Sequence, residues 1–165
     1  MNGSLIMKCL KTNLLACGLA LAIAAPALAK TEKFDGTSCW SGKMTVLATT
    51  KADMGWAFTM NYTWLADDKD PKNSMAGRCV GSGGLVAGKF QAAPFFCNVN
   101  AADGLTYMVT GTGIPSKLDG ILFGGTGAFE GISGTVKGGQ QINLPAPQGE
   151  FAACRPQTVE RTTPG

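Results

Sequence analysis

Few residues in this chain are equipped for chemistry. The sequence contains no histidine, which removes the Ser-His-Asp and Cys-His designs, because both need an imidazole to take the nucleophile's proton. Carboxylates remain at Asp35, Asp53, Asp119, Glu130 and Glu150. A buried pair of them would be able to share acid and base work. These five are dispersed near turns and predicted strand ends, where a carboxylate is ordinarily a solvated rim group. Metal chemistry is no better served. A usual zinc site lacks its ligands, since there is neither a CxxC pair nor a histidine. The acidic run Asp67-Asp68-Lys69-Asp70-Pro71-Lys72-Asn73 breaks the calcium-loop order, with Lys72 at the third ligand position and no glycine after it. No catalytic residue, metal or cofactor is therefore assigned, and the chemistry to expect is binding.

The strongest candidate for binding is a stripe of large side chains. Trp56, Phe58, Met60, Tyr62 and Trp64 alternate with Ala57, Thr59, Asn61, Thr63 and Leu65. Successive Cβ atoms of a strand point to opposite sides, so the first five share one face. Core filling is the default role for such a face in a small barrel. If a small-molecule cavity is present instead, its walls are Trp56, Phe58, Tyr62, Trp64 and Tyr107, with the two tyrosine hydroxyls as polar handles.

Positioning that stripe requires a sheet, and the rest of the chain reads as one. No long segment carries apolar residues at helical spacing; short alternating runs are punctuated by glycine. An earlier strand is expected from Cys39 to Thr49, with Trp40, Met44, Val46 and Ala48 on one face and Gly42 leaving room for a close neighbour. Further strands are expected at 76–86, 95–100, 105–112, 117–123, 129–137 and 149–154. Lys51 to Gly55 forms a turn, and the proline-containing run from Asp67 to Asn73 a loop. Asp103-Gly104 is a hairpin turn, because glycine supplies the positive φ it needs. The stretch from Gly138 to Gln148, with Pro145 and Pro147, is a loop or edge segment, and residues 156–165 a frayed tail. Strands this short and evenly spaced fit a barrel or sandwich, in one domain over residues 30–155.

The N-terminus has the form of a secretory signal. Lys8 and Lys11 precede an apolar run from Leu14 to Ala25, and Ala27-Leu28-Ala29 is a small-residue cleavage motif. Residues 1–29 are expected to be removed; a lipid anchor at Cys17 is the lesser reading. The full chain carries a net charge of +3, and loss of two lysines brings the mature form close to neutral. It has no basic cluster for nucleic acid, and no later segment is long and apolar enough to span a bilayer as a helix. The mature chain retains Cys39, Cys79, Cys97 and Cys154. An even number in an exported domain implies two disulfides, with three connectivities open. The favoured one joins Cys79 to Cys97, closing a hairpin-sized loop, and Cys39 to Cys154, tying the first strand to the last.

The segment Ile121-Leu122-Phe123-Gly124-Gly125-Thr126-Gly127-Ala128-Phe129-Glu130-Gly131-Ile132-Ser133-Gly134-Thr135-Val136 resembles the glycine-turn hairpin of the allene oxide cyclase and dirigent β-barrels. Its glycines permit tight turning and coiling, and Phe129 would plug the barrel end. Alternation puts Glu130 on the face opposite Phe129, pointing out. The chain is also similar to bacterial exported proteins with this barrel, in which a cysteine before a Gly-rich strand pairs with one shortly before an Asp-Gly turn; here these are Cys79 and Cys97. The resemblance implies a closed antiparallel barrel. Allene oxide cyclases isomerise a fatty-acid epoxide in the barrel, using a carboxylate near the first strand. The early strand from Ser38 to Thr49 has no such residue.

Together these residues describe an exported, periplasmic or extracellular, disulfide-stapled all-β protein: a small antiparallel barrel that binds a small apolar molecule without catalysis. The alternatives are an isomerase or cyclase acting in the lumen, and a protein-binding or inhibitor module. Neither the ligand nor the oligomeric state is specified by the residues.

Overall fold

The computed structural model describes residues 28–48, 50–101 and 104–165. The expected export signal lies almost wholly outside the described residues, as do Asp103 of the expected turn and Thr49 at the end of the early strand. Ten strands follow in order: β1 (Lys30–Ala48), β2 (Met54–Ala66), β3 (Met75–Val86), β4 (Lys89–Gln91), β5 (Ala93–Ala101), β6 (Thr106–Ile114), β7 (Lys117–Phe123), β8 (Ser133–Gly138), β9 (Ile142–Leu144) and β10 (Glu150–Thr163). Each main strand pairs antiparallel with the next, and β10 returns to pair with β1 from Lys30↔Thr163 to Lys43↔Glu150. The result is a closed antiparallel barrel of 8 strands. The two short strands extend its wall: β4 continues the line of β5 along β3, and β9 continues that of β8 along β10.

The stripe that begins at Trp56 lies on β2, and its side chains all face the interior while the residues between them are exposed. The expected disulfides are both present, Cys39–Cys154 and Cys79–Cys97, each joining residues directly opposite in their ladders. Gly42 sits where a Cβ would lie 2.0 Å from the Thr59 carbonyl oxygen, so β2 passes too close for any side chain there.

Three expectations change. The first strand begins at Lys30 rather than Cys39, and it carries Glu32 on its inner face. The frayed tail from Pro156 is overturned, because β10 runs to Thr163 and buries Gln157, Val159 and Arg161. Pro156 is tolerated there because the adjoining chain passes from β8 to β9 at that level, where the Pro156 carbonyl accepts a hydrogen bond from Gly139 N. The strand expected from Phe129 starts only at Ser133; Gly127–Phe129 is instead a 3-10 turn. That turn seats Phe129 inside, with its ring edge-on to Tyr107 at 5.5 Å, and leaves Glu130 exposed.

The barrel thus has two different ends. One is closed by the glycine loop, where Phe129 and Ile132 are buried and the Arg161 guanidinium lies over the rings of Phe34 and Phe129. The other is ringed by the β1–β2 turn, β4, the β6–β7 turn and the start of β10, and this end is open.

Candidate binding site at the barrel mouth

Alternation along four strands sends aromatic rings into the open end. Trp40 and Met44 come from β1, Trp56 and Phe58 from β2, Phe90 from β4 and Phe151 from β10. They enclose a cavity of about 340 Å³ together with Ile114, Pro115, Leu118 and Gln141. The rings brace one another across strands: Trp56 meets Phe90 at 5.2 Å, and Phe58 meets Phe151 edge-on at 5.9 Å. A second, smaller cavity of about 50 Å³ lies deeper, lined by Tyr62, Met75, Cys79, Cys97, Val99 and Tyr107 among others. Met60, Phe95 and Leu118 line both and form the partition between them.

The five aromatics expected as cavity walls are therefore divided. Trp56 and Phe58 are at the mouth, and Tyr62 and Tyr107 line the inner cavity. Trp64 lines neither; it is fully buried, and a Cβ on Gly36 would lie 2.9 Å from its ring. The tyrosine hydroxyls do not face the mouth cavity. Tyr107 Oη donates to the Met75 sulfur. Burial raises both phenols well above their ordinary pKa, Tyr62 further through its neighbour Tyr107, so both stay protonated at neutral pH.

One mouth residue went unrecognised in the sequence. Arg155 projects inward from β10 and is 3 % exposed. Its Nη2 donates to the Ile114 carbonyl at 3.2 Å and to Gln141 Oε1 at 3.0 Å, and its guanidinium lies 5.3 Å from the Trp40 ring centre. Nε and Nη1 have no partner. Burial lowers its pKa from the usual arginine value. Among the described residues no carboxylate pairs with it, whereas Arg161, further along the same face, is bonded to Glu32 at 3.2 Å. The signal that would have found Arg155 is the inward series Phe151, Ala153, Arg155, Gln157, Val159, Arg161, in which polar and apolar residues are mixed.

No carboxylate lines either cavity. Glu32 faces inward at the closed end, held below the usual carboxylate range first by a hydrogen bond from Lys30 and also by Arg161. The Asp67–Asn73 loop satisfies itself, with Asp68 accepting from Asp70 N and Asn73 Nδ2, and Asp70 from Lys72 N. Among the described residues no three His, Cys, Asp or Glu side chains converge to hold a metal, and no helix is long and apolar enough to cross a membrane.

No family model and no curated protein matches the chain in sequence. Its likeness is to solved structures. The pterocarpan synthase dirigent protein GePTS1 superposes with a TM-score of 0.54 at 12 % identity, over 83 % of this chain and 92 % of that one. A second pterocarpan synthase dirigent protein, PsPTS1, gives a TM-score of 0.45 at 14 % identity, over 81 % and 96 % of the two chains. At such identity the first likeness is one of fold: the chain is a dirigent-like barrel.

Proposed function

We propose that the mature chain is a bacterial exported barrel protein of the allene oxide cyclase and dirigent type, which holds a small apolar molecule in its mouth without transforming it. The observation that carries this is the mouth cavity, about 340 Å³ in volume and walled largely by aromatic and methionine side chains. Its size and apolar lining are those of small-molecule sites. Lumenal catalysis is disfavoured by the same wall. An isomerase or cyclase needs a group that gives or takes a proton near neutrality, and the cavities offer only two high-pKa phenols and a guanidinium. A protein-binding module would present an apolar surface rather than a concave one. Export is supported by the N-terminal signal pattern and by the two disulfides, which persist in oxidising compartments.

Titration with the neutral fluorophore phenylnaphthylamine tests the reading, alongside native mass spectrometry of protein purified gently from its own compartment. Saturable binding is expected, weakened several-fold by Trp56→Ala and left unchanged by Leu65→Ala on the outer wall. Failure of the fluorophore to bind, with no small molecule retained in native preparations, overturns the reading.

A further inference from the structure

We propose that the open end of the barrel docks on an anionic lipid bilayer, so that the mouth is applied to the membrane and takes its ligand from there. The source of the ligand rests on the reading that the mouth holds a small apolar molecule; the docking itself does not.

The tips of the β1–β2 and β3–β4 hairpins stand side by side at the mouth. A strand tip surrounded by water carries polar residues on its outward side, whereas both sides are apolar here. Val46 and Phe90 line the cavity and are still partly open to solvent, while Leu47 and Val86 point away from it and are 77 % and 59 % exposed. The next outward positions are Thr45 and Lys43 on β1 and Gly84 and Ser82 on β3, so the apolar collar is confined to the tips. Exposed apolar residues gathered around an opening mark a surface that meets another apolar phase. The collar is also held in shape before it meets anything. Gly88 N donates to the Ala52 carbonyl at 2.9 Å and Ala87 N to Asp53 Oδ1 at 2.9 Å, which ties the two turns into one platform.

Charge selects the partner. Lys51 and Lys89 flank the same two turns, are exposed and, among the described residues, form no ion pair. The carboxylate of the tip, Asp53, is engaged by Thr50 and Ala87, and at the β6–β7 turn Lys117 is neutralised by Asp119. The acidic run from Asp67 to Asp70 lies at the other end of the barrel. Apolar side chains flanked by lysine suit a surface held to anionic lipid by burial and charge together. Protein interfaces are depleted in lysine, and two copies meeting mouth to mouth would set like charges against each other.

Flotation of the full-length mature protein with vesicles of phosphatidylglycerol and phosphatidylethanolamine, against vesicles of phosphatidylcholine alone, tests the proposal. Binding to the anionic vesicles is expected to be at least about fivefold stronger, the factor one lysine supplies near such a surface, and to weaken as salt is raised. Leu47→Asp and Val86→Asp should each weaken it about tenfold or more, through lost apolar burial. Leu65→Asp places the same charge on the outer wall toward the closed end and should leave binding within about twofold. All three side chains are exposed, so the variants retain the fold. Absence of binding to either vesicle overturns the docking, as does equal weakening by Leu65→Asp. A dimer that forms with concentration and is abolished by Leu47→Asp, in protein that ignores vesicles, gives the collar to a second copy and overturns it too. Phenylnaphthylamine bound by protein that ignores vesicles leaves the mouth reading standing while the docking falls; vesicle binding without uptake of the fluorophore does the reverse.

Discussion

Cys39 and Cys154 face each other in the β1–β10 ladder with Cα atoms 4.0 Å apart, so a covalent bond crosses the seam at which the sheet closes on itself. Cys39 is exposed on the outer wall. The other pair points into the lumen, with Cys79 and Cys97 only 2 % and 5 % exposed.

Access therefore orders the reduction of the two bonds. Under limiting dithiothreitol in native buffer, Cys39 and Cys154 are expected to be alkylated first, as mapped by peptide mass spectrometry. Replacing both by alanine should cost about 3–5 kcal/mol in urea unfolding, because the bond closes a loop of sequence separation 115. Earlier labelling of Cys79 and Cys97 would contradict this order.

Gly125 carries the most demanding backbone of the glycine loop, at φ +107 with a virtual Cβ 1.9 Å from the Phe129 carbonyl oxygen. Gly125→Ala should lower stability by roughly 2–4 kcal/mol, since strain adds to a clash that displaces the Phe129 plug. Gly124→Ala provides the contrast. At φ +75 with open space around its Cβ, it should cost only about 1 kcal/mol. Equal losses would show that the close approach to Phe129 is unimportant.

Glu32, paired first with Lys30 and also with Arg161, makes the closed end sensitive to acid. The folded carboxyl titrates below its usual 4.5, so its contribution is present above about pH 4.5 and is lost as pH falls through the folded value. Glu32→Gln is expected to be less stable than the unaltered protein by about 1 kcal/mol at neutral pH, a modest figure because the carboxylate is partly solvated. The two unfolding curves should converge as pH falls toward 3. A gap that persists in acid would mean the substitution acts through packing alone.

Both tyrosines of the chain are inside the barrel, with phenols raised above 10. A raised phenol leaves stability intact below the unfolded value and erodes it above, because only the unfolded state releases the proton readily. Phenolate absorbance in an alkaline titration should therefore appear together with loss of near-UV circular dichroism. Phenolate forming near pH 10 while the fold persists would show that the hydroxyls reach water.

Legibility in the sequence followed the contrast between inward and outward residues. On β2 the large rings alternate with small and polar residues, and its span was read to within two residues at either end. The same alternation exists on β1 before Cys39 and on β10 after Arg155, but the inward residues there include Glu32, Ser38, Gln157 and Arg161. A polar interior carries no hydrophobic period, so strand and tail look alike. Half of the mouth was hidden for a related reason. Phe90 lies on a strand of only three residues, too short to show alternation, Phe151 faces Gly42 from the far end of the chain, and Arg155 acquires meaning only once the barrel encloses it. Trp64 was read as a cavity wall because alternation fixes a side but not a depth.

The bond between first and last strands has a consequence for how the molecule is made. Until Glu150–Thr163 has been synthesised and can pair, Lys30–Lys43 presents one row of bare backbone amides and carbonyls to its surroundings. Such a molecule spends most of its synthesis as an open, sticky sheet, and its vulnerable period ends with the arrival of the C-terminal strand rather than gradually.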